Sequence, residues 1–495
     1  MTGSIERTLC RLEGQLPGRV SRPGDNRYIA ATALWAKPIG RMPRAVAHCR
    51  TPQDVQLAIL AARDSGLSLS VRGGGHDWAG RALCDGLVID LSGMNDVLVE
   101  PDHLTARISG GARASDVLTV TDPRGLAAVT GSCGAVGMAG LTLGGGYGPL
   151  IGRFGLALDN VIAADVILAD GRIVTAEHDR EEELFWALRG GGGNFGVVTA
   201  MRIRLHNLPN VLSGMLVYRF SEAKSVLEGC IDIAASMPED LTVQLGFVVG
   251  PDNAPVILVV PTWCGPPGQG DAQVAPLLKL GTVLDNTVDA VRYGASLATF
   301  DAYIVNGQRT LMETCWLPAL DGRSIDVFIE AMETAVSPGC AVFTHEFRGA
   351  ASRVAPEATA FSFRRRHLLV EILATFVDRS DKFEEQRHQR WVQATLAAFN
   401  AMALPGGYPN MLASSAVERA TTSFGRNAER LIRAKRHYDP DNVFRSAIPL
   451  PVGRSDGRAP AASGQAAAAP PSSAMNSRRL IRSPRRRGRE ATTDR

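Results

Sequence analysis

The stretch SVRGGGHDWAG, residues 70–80, constrains this chain more than any other. Three glycines stand between Arg72 and His76, and the apolar residues before them, Leu67, Leu69 and Val71, alternate as in a strand. Glycine takes backbone angles closed to other residues and lets a ligand approach the main chain. Successive N–H groups in such a turn form an anion-binding nest. His76 ends the nest with a nucleophilic ring nitrogen. The stretch reads as a loop that grips a phosphate-bearing cofactor, with His76 against its reactive end.

A second glycine-dense stretch, GSCGAVGMAGLTLGGGYG, runs from Gly131 to Gly148, and a third glycine loop occupies 190–193. The Gly131–Gly148 stretch is not a dinucleotide fingerprint, because no clean strand–helix–strand unit with a following acidic residue surrounds it. The chain has no GxxxxGK[ST] phosphate loop, no GxSxG elbow and no HExxH helix; His345-Glu346 lacks its second histidine.

The chain has 495 residues, enough for two or three domains, and 45% apolar residues, ordinary for a globular protein. Its eight cysteines are scattered and form no CxxC pair, so no zinc or thioredoxin-like site is expected and most should be buried small hydrophobes. The N-terminus carries acidic residues and no apolar core of a signal peptide. The longest apolar runs, such as 254–260, are too short to span a bilayer. These features predict a cytoplasmic protein that does not enter the membrane. The net charge of +3 is concentrated in the tail: residues 455–495 hold nine Arg against three acidic residues, leaving 44 basic and 47 acidic residues on 1–454. The body therefore offers no nucleic-acid footprint. The Ala/Pro/Ser/Arg-rich tail, 453–495, reads as a disordered basic extension with at most a weak electrostatic contact with an anionic surface.

Residues 1–26 show no clear periodic element. Ala45–Cys49 reads as a strand, followed by a helix capped by Thr51, opened by Pro52 and ended by Gly66. RASDVLTVT is a helix that stops before Pro123. DNVIAADVILADGRIVTA is a hairpin turning at Asp170-Gly171. From about 212 to 425, MLVYRF, TVQLGFVVG, PVILVVPTW, AVFTHEF and HLLVEILATF alternate like strands, with helices near 222–236, 323–335 and 381–402. That mixture predicts an α+β arrangement, an antiparallel sheet covered by helices. NAERLIRAKRHYDPDNVF closes the pattern with a helix and a turn.

Taken in order, RGGGH (72–76), GSCGAVGMAGLTLGGGYG (131–148), ALDNVIAADVILADG (157–171), LFWALRGGGGNFGVVT (184–199), GGYPN (406–410) and YDPDNVF (438–444) resemble the berberine-bridge-enzyme-like FAD-linked oxidases of the vanillyl-alcohol-oxidase (PCMH) type. The resemblance covers roughly 27–450. It implies an α+β fold with a two-part FAD-binding domain, 27–210 plus 426–452, and an inserted substrate domain, 211–425, after an N-terminal extension, 1–26. It implies FAD bound covalently: His76 matches the histidine bonded to the flavin 8α-methyl carbon, and Cys133 the cysteine that some members bond to flavin C6. An imidazole nitrogen and a thiolate are suitable nucleophiles for an electron-poor ring. The further cofactor positions it implies are Arg72, Gly73, Gly74, Gly75, Gly137, Gly140, Leu141, Gly145, Gly146, Asn160, Gly196, Val198 and Asn442. No metal is implied.

Hydride removal from a hydroxyl-bearing carbon needs a base for the hydroxyl proton. Two candidates match family positions: Tyr408, in YPN, and Glu371, in LLVEILATF. A tyrosine ionises near pH 10 and needs a cation or hydrogen bonds to serve. Glu371 is flanked by Leu369 and Ile372 and stands between a catalytic and a solvent-facing reading. Met138 sits where oxygen-reactive relatives carry a small branched residue, so its length suggests a gate against oxygen. Phe363-Arg364 replaces the usual His-Arg. The expected function is an FAD-dependent oxidase that acts on a small-molecule alcohol, sugar hemiacetal or specialised-metabolite carbon and passes electrons to O2. The alternatives are a flavin dehydrogenase with another acceptor and a non-catalytic flavin-holding protein.

Overall fold

The strand–helix–strand signal around Thr51 is realised in the computed structural model, which describes residues 2–450 except 38–39, 251, 302–305, 378–381, 414 and 446. Thr51 accepts from the Asp54 N–H in a capping box, the helix Pro52–Ser65 follows, and Gly66 stops it in the left-handed region at φ +69°. The strands Ala45–His48 and Leu69–Arg72 flank Leu87–Asp90, both pairing with it in parallel. Strand Leu69–Arg72 delivers the RGGGH loop at its C-terminal end. A second, antiparallel sheet has five strands, in the order Val97–Val99, Thr105–Ser109, Val197–Arg204, Val161–Ile167 and Ile173–Glu177. Its last two strands form the expected hairpin, with Gly171 at φ +88°.

The N-terminal extension is not structureless. Thr2–Gln15 is a helix, and Leu9, Leu12 and Leu16 bury one side of its end against Val55 and Ile59 of the capped helix. Three leucines spaced by three and four residues carried that signal in an otherwise polar segment.

The larger sheet has nine antiparallel strands. Its main path runs Val283–Asn286, Leu216–Arg219, Pro255–Trp263, Leu241–Val249, Cys340–Phe347, His367–Phe376, Arg309–Leu317. The last strand was not expected: it is an edge strand carrying Arg309 and Glu313, and it pairs along its length with His367–Phe376. Alternate residues of these strands, including Leu245, Phe247, Val342, Val370 and Ile372, are buried against the helices Ala223–Ser236, Gly322–Glu333 and Lys382–Asn400. Phe328 lies between Phe247 and Phe399, with ring centroids 4.6 and 4.8 Å away. The other alternation set, Thr242, Gln244, Val260, Thr262, Phe343, His345 and Glu371, faces the opposite way.

The chain closes on its first half. The helix Ala428–Tyr438 buries Leu431 and Ala434 in the core that holds Leu184, Phe195 and Met201. Lys435 is fully buried there, and its Nζ donates to the carbonyls of Asn194 and Phe444, both at 2.8 Å, and to Asp439. Among the described residues no helix is long and apolar enough to cross a membrane. The basic tail and the contact ascribed to it lie outside the described residues.

Candidate active site

The two glycine stretches meet backbone to backbone. A Cβ added at Gly74 would lie 2.5 Å from the Gly137 nitrogen, and one at Gly137 would lie 2.5 Å from the Gly74 nitrogen. No side chain fits at either position without parting the two strands of chain. Gly75 follows at φ +75°, which turns the loop over the Arg72 guanidinium. The crossing lies two residues from His76 and four from Cys133. Of the eight cysteines six are buried, Cys10 is exposed, and Cys133 is the half-buried one.

Arg72 is held by the end of the neighbouring strand: its Nη1 donates to Asp90 Oδ1 at 2.9 Å, and Asp90 Oδ2 lies 3.0 Å from His48 Nδ1. Burial pushes the Asp90 carboxyl up, but the His48 hydrogen bond and the Arg72 charge outweigh it and keep the group below the usual carboxylate range. Three donors on the two stretches are buried without a hydrogen-bond partner: Arg72 Nε, Trp78 Nε1 and Thr142 Oγ1. Buried donors of this kind are rare unless something supplies acceptors. A pyrophosphate and the carbonyls of an isoalloxazine would, so the residues present fit FAD.

The remaining cofactor positions divide. Gly73 stacks under Gly110, whose missing Cβ would lie 2.3 Å from the Val198 carbonyl, so Val198 belongs to the same neighbourhood. Sequence reading missed Gly110 and Gly111, although SGGA marks them plainly. Gly140 is exposed, with open space where a Cβ would be. Its carbonyl and that of Leu141 accept from Asn410 Nδ2 at 3.2 and 3.0 Å. Gly145 and Gly146, at φ +147° and +91°, make room for Tyr408 and Ala157. Gly196 is required by its close approach to Ile167. Asn160 is not brought into the group. Its Nδ2 donates to the carbonyls of Phe154 and Leu156, and its Oδ1 meets His206 Nε2 at 2.8 Å, so its capacity is spent on the scaffold. Asn442 occupies a left-handed turn at φ +52° and donates to the Asp439 carbonyl.

The base candidates sit on the inner side. Glu371 is buried, not solvent-facing, in register with Thr314 and Phe343 on the flanking strands. Its Oε1 lies 3.0 Å from His345 Nε2, yet no hydrogen bond satisfies that oxygen. The contact is an ion-pair distance without hydrogen-bond alignment. Tyr408 is also buried. Its Oη accepts from the Gly146 N–H at 2.9 Å and from Asn410 Nδ2 at 3.0 Å. Burial pushes its pKa up to about 12, the two donors oppose that shift, and the nearby Glu371 charge adds to it. Arg81, beyond the RGGGH loop, donates to the carbonyls of Pro409 and Asn410 and ties the two loops together.

Tyr147 and His345 were not foreseen. The Tyr147 ring lies 4.7 Å from that of Tyr408, and its Oη meets His367 Nε2 at 2.7 Å. Burial drives the His367 pKa down to about 3, so the imidazole is neutral. A tyrosine inside GGGYG was the available signal. A cavity lies between Ser132 and Gly148 of the glycine stretch and Thr242, Gln244, Thr262 and His345 of the sheet. Met138 is 1% exposed and belongs to the core cluster that includes Leu118 and Leu143. Arg364 makes a bidentate pair with Asp159, both contacts 2.9 Å, and Phe363 stacks on Trp316.

The FAD binding domain family matches residues 43–177, and the berberine and berberine like family matches 403–451. An uncharacterized FAD-linked oxidoreductase of Bacillus subtilis is 29% identical over 88% of this chain and 97% of its own. The (R)-6-hydroxynicotine oxidase of Paenarthrobacter nicotinovorans is 33% identical over 57% of this chain and 63% of its own. The crystal structure of 6-hydroxy-D-nicotine oxidase from Arthrobacter nicotinovorans superposes with a TM-score of 0.79 at 28% identity, covering 88% of this chain and 98% of that one. The chain is thus an FAD-linked oxidoreductase that carries an FAD binding domain and a berberine-like C-terminal segment, and it is similar to the berberine-bridge-enzyme-like oxidases.

Proposed function

We propose that the chain oxidises an alcohol, sugar hemiacetal or specialised-metabolite carbon, with O2 as the final electron acceptor and hydrogen peroxide as its product. FAD supplies the hydride acceptor at its N5 atom. Arg72, Gly73–Gly75, Trp78 and Thr142 hold it, and His76 and Cys133 attach it covalently. Glu371 takes the substrate proton. The observation that carries this assignment is the buried Glu371 oxygen with no hydrogen bond, beside His345 at the cavity wall. A phenol pushed up to about 12 is a poor base near neutral pH, which leaves the Glu371 carboxyl group as the proton acceptor. Tyr408, fixed by Gly146 and Asn410, orients the substrate oxygen with its own O–H.

Two measurements test this reading. Acid-precipitated protein should stay yellow, and His76→Ala and Cys133→Ala should each leave one covalent link; release of all flavin by Cys133→Ala would overturn the double attachment. An anaerobic screen of alcohols and sugars should find a compound that bleaches the flavin, with peroxide formed when air is admitted. Absence of bleaching across the screen favours a flavin-holding role. Bleaching without peroxide favours a different acceptor.

A further inference from the structure

We propose that Trp35 is a positioning residue for the cofactor bond: its indole sets the plane of the His76 imidazole. The proposal rests on the covalent reading above. The two rings are stacked, with centroids 4.8 Å apart and planes 8° from parallel. The main chain that carries the indole is held from two sides. The Trp35 N–H donates to the Gly75 carbonyl at 2.9 Å, one residue before the histidine. On the other side the Gly307 N–H donates to the carbonyls of Leu34 and Trp35, Lys37 donates to Gln308 at 2.7 Å, and Ala36 bridges Gln308. A segment with no helix of its own is thereby fixed between the RGGGH loop and the approach to the strand Arg309–Leu317.

The geometry matters because the imidazole nucleophile is a lone pair in the ring plane. The last torsion of a histidine turns its ring plane through a broad, roughly two-fold range. A parallel indole packed on one face restricts that rotation, so the plane that contains the lone pair is set. Attachment exchanges one C–H of the 8α-methyl for a C–N bond. The methyl and imidazole protons are released from those atoms, the bonding electron pair is left on the flavin, which is reduced by two electrons, and O2 removes two electrons and two protons as hydrogen peroxide. Alignment of nitrogen and carbon governs such a step.

The test uses the Cys133→Ala chain, in which His76 alone makes the bond. Covalent flavin is followed by intact mass after acid denaturation, at intervals after synthesis is stopped. Trp35→Ala should slow its appearance about three- to tenfold. Trp35→Phe, which keeps a stacking ring, should return it to within about twofold, and it guards against a folding artefact. Trp35→Leu, apolar but without a ring, should behave like the alanine variant. Attachment at the parental rate in Trp35→Ala, or rescue by leucine as complete as by phenylalanine, overturns the proposal. Failure of the parent chain to bind flavin covalently overturns it together with the covalent reading, and is distinguished because the defect then precedes any change at Trp35.

Discussion

The two faces of the nine-stranded sheet are made by the same strands and do opposite work. Toward the helices, Leu245, Phe247, Val342, Val370 and Ile372 form an apolar layer filled by Phe328 and Phe399. Toward the glycine clamp, the residues between them are Gln244, Phe343, His345, Glu371 and Thr314, and two of the polar atoms there, Glu371 Oε1 and Thr314 Oγ1, have no hydrogen-bond partner. Because strand side chains alternate, one register decides both sets, and a slip by one residue would exchange core for site. The first face carries stability. The second gives some of it up to keep reactive groups unpaired.

The contrast can be broken from either side. Glu371→Gln removes the charge at nearly constant shape, and should slow anaerobic flavin reduction about 10²–10⁴-fold with little change in melting temperature; an unaltered rate would move the base elsewhere. Phe328→Ala, on the helix side, should cost about 3–5 kcal/mol in denaturant unfolding and leave the reduction rate of the folded fraction intact. A third test uses pH. His367 shares the Glu371 face, and its pKa falls from 6.5 in the open chain to about 3 when folded. The unfolded chain takes up a proton first, so the stability held above pH 6.5 should drain away between 6.5 and about 3. His367→Gln should flatten that part of a stability–pH curve. Tyr408→Phe deletes an orienting hydroxyl, and a slowing of about tenfold in reduction is expected, smaller than for Glu371→Gln. Stopped-flow traces of the two variants side by side rank them. Met138→Val should be the mildest: about 1 kcal/mol of stability from lost packing, with reoxidation by oxygen unchanged, because Met138 is a core residue.

Local signals were legible where local physics decided. Thr51, Pro52 and Gly66 delimited a helix through capping and a left-handed stop, and Asp170-Gly171 marked a hairpin. The Gly74–Gly137 crossing could be suspected from two glycine stretches, but residues 63 apart in sequence give no hint of which glycines touch. Glu371 was ambiguous because alternation tells two faces apart without saying which is wet, and the inner face is covered by Tyr147 and Tyr408, distant in sequence, which cluster with Trp316 and Phe347 of the sheet. Asn160 illustrates the reverse: its type and position suggested a ligand contact, yet His206, brought in by another strand, consumes its amide oxygen.

The buried Lys435 knot has a bearing on when the enzyme comes into being. Its amine joins Asn194, Asp439 and Phe444, so the last described helix is a structural part of the flavin half and completes it. A growing chain emerges N-terminus first and folds as it emerges. The RGGGH loop and Cys133 therefore leave the ribosome long before the segment that closes over the 190–193 loop. The 190–193 loop therefore gains its packing against Leu431 and Ile448 only after the rest of the described chain has been made.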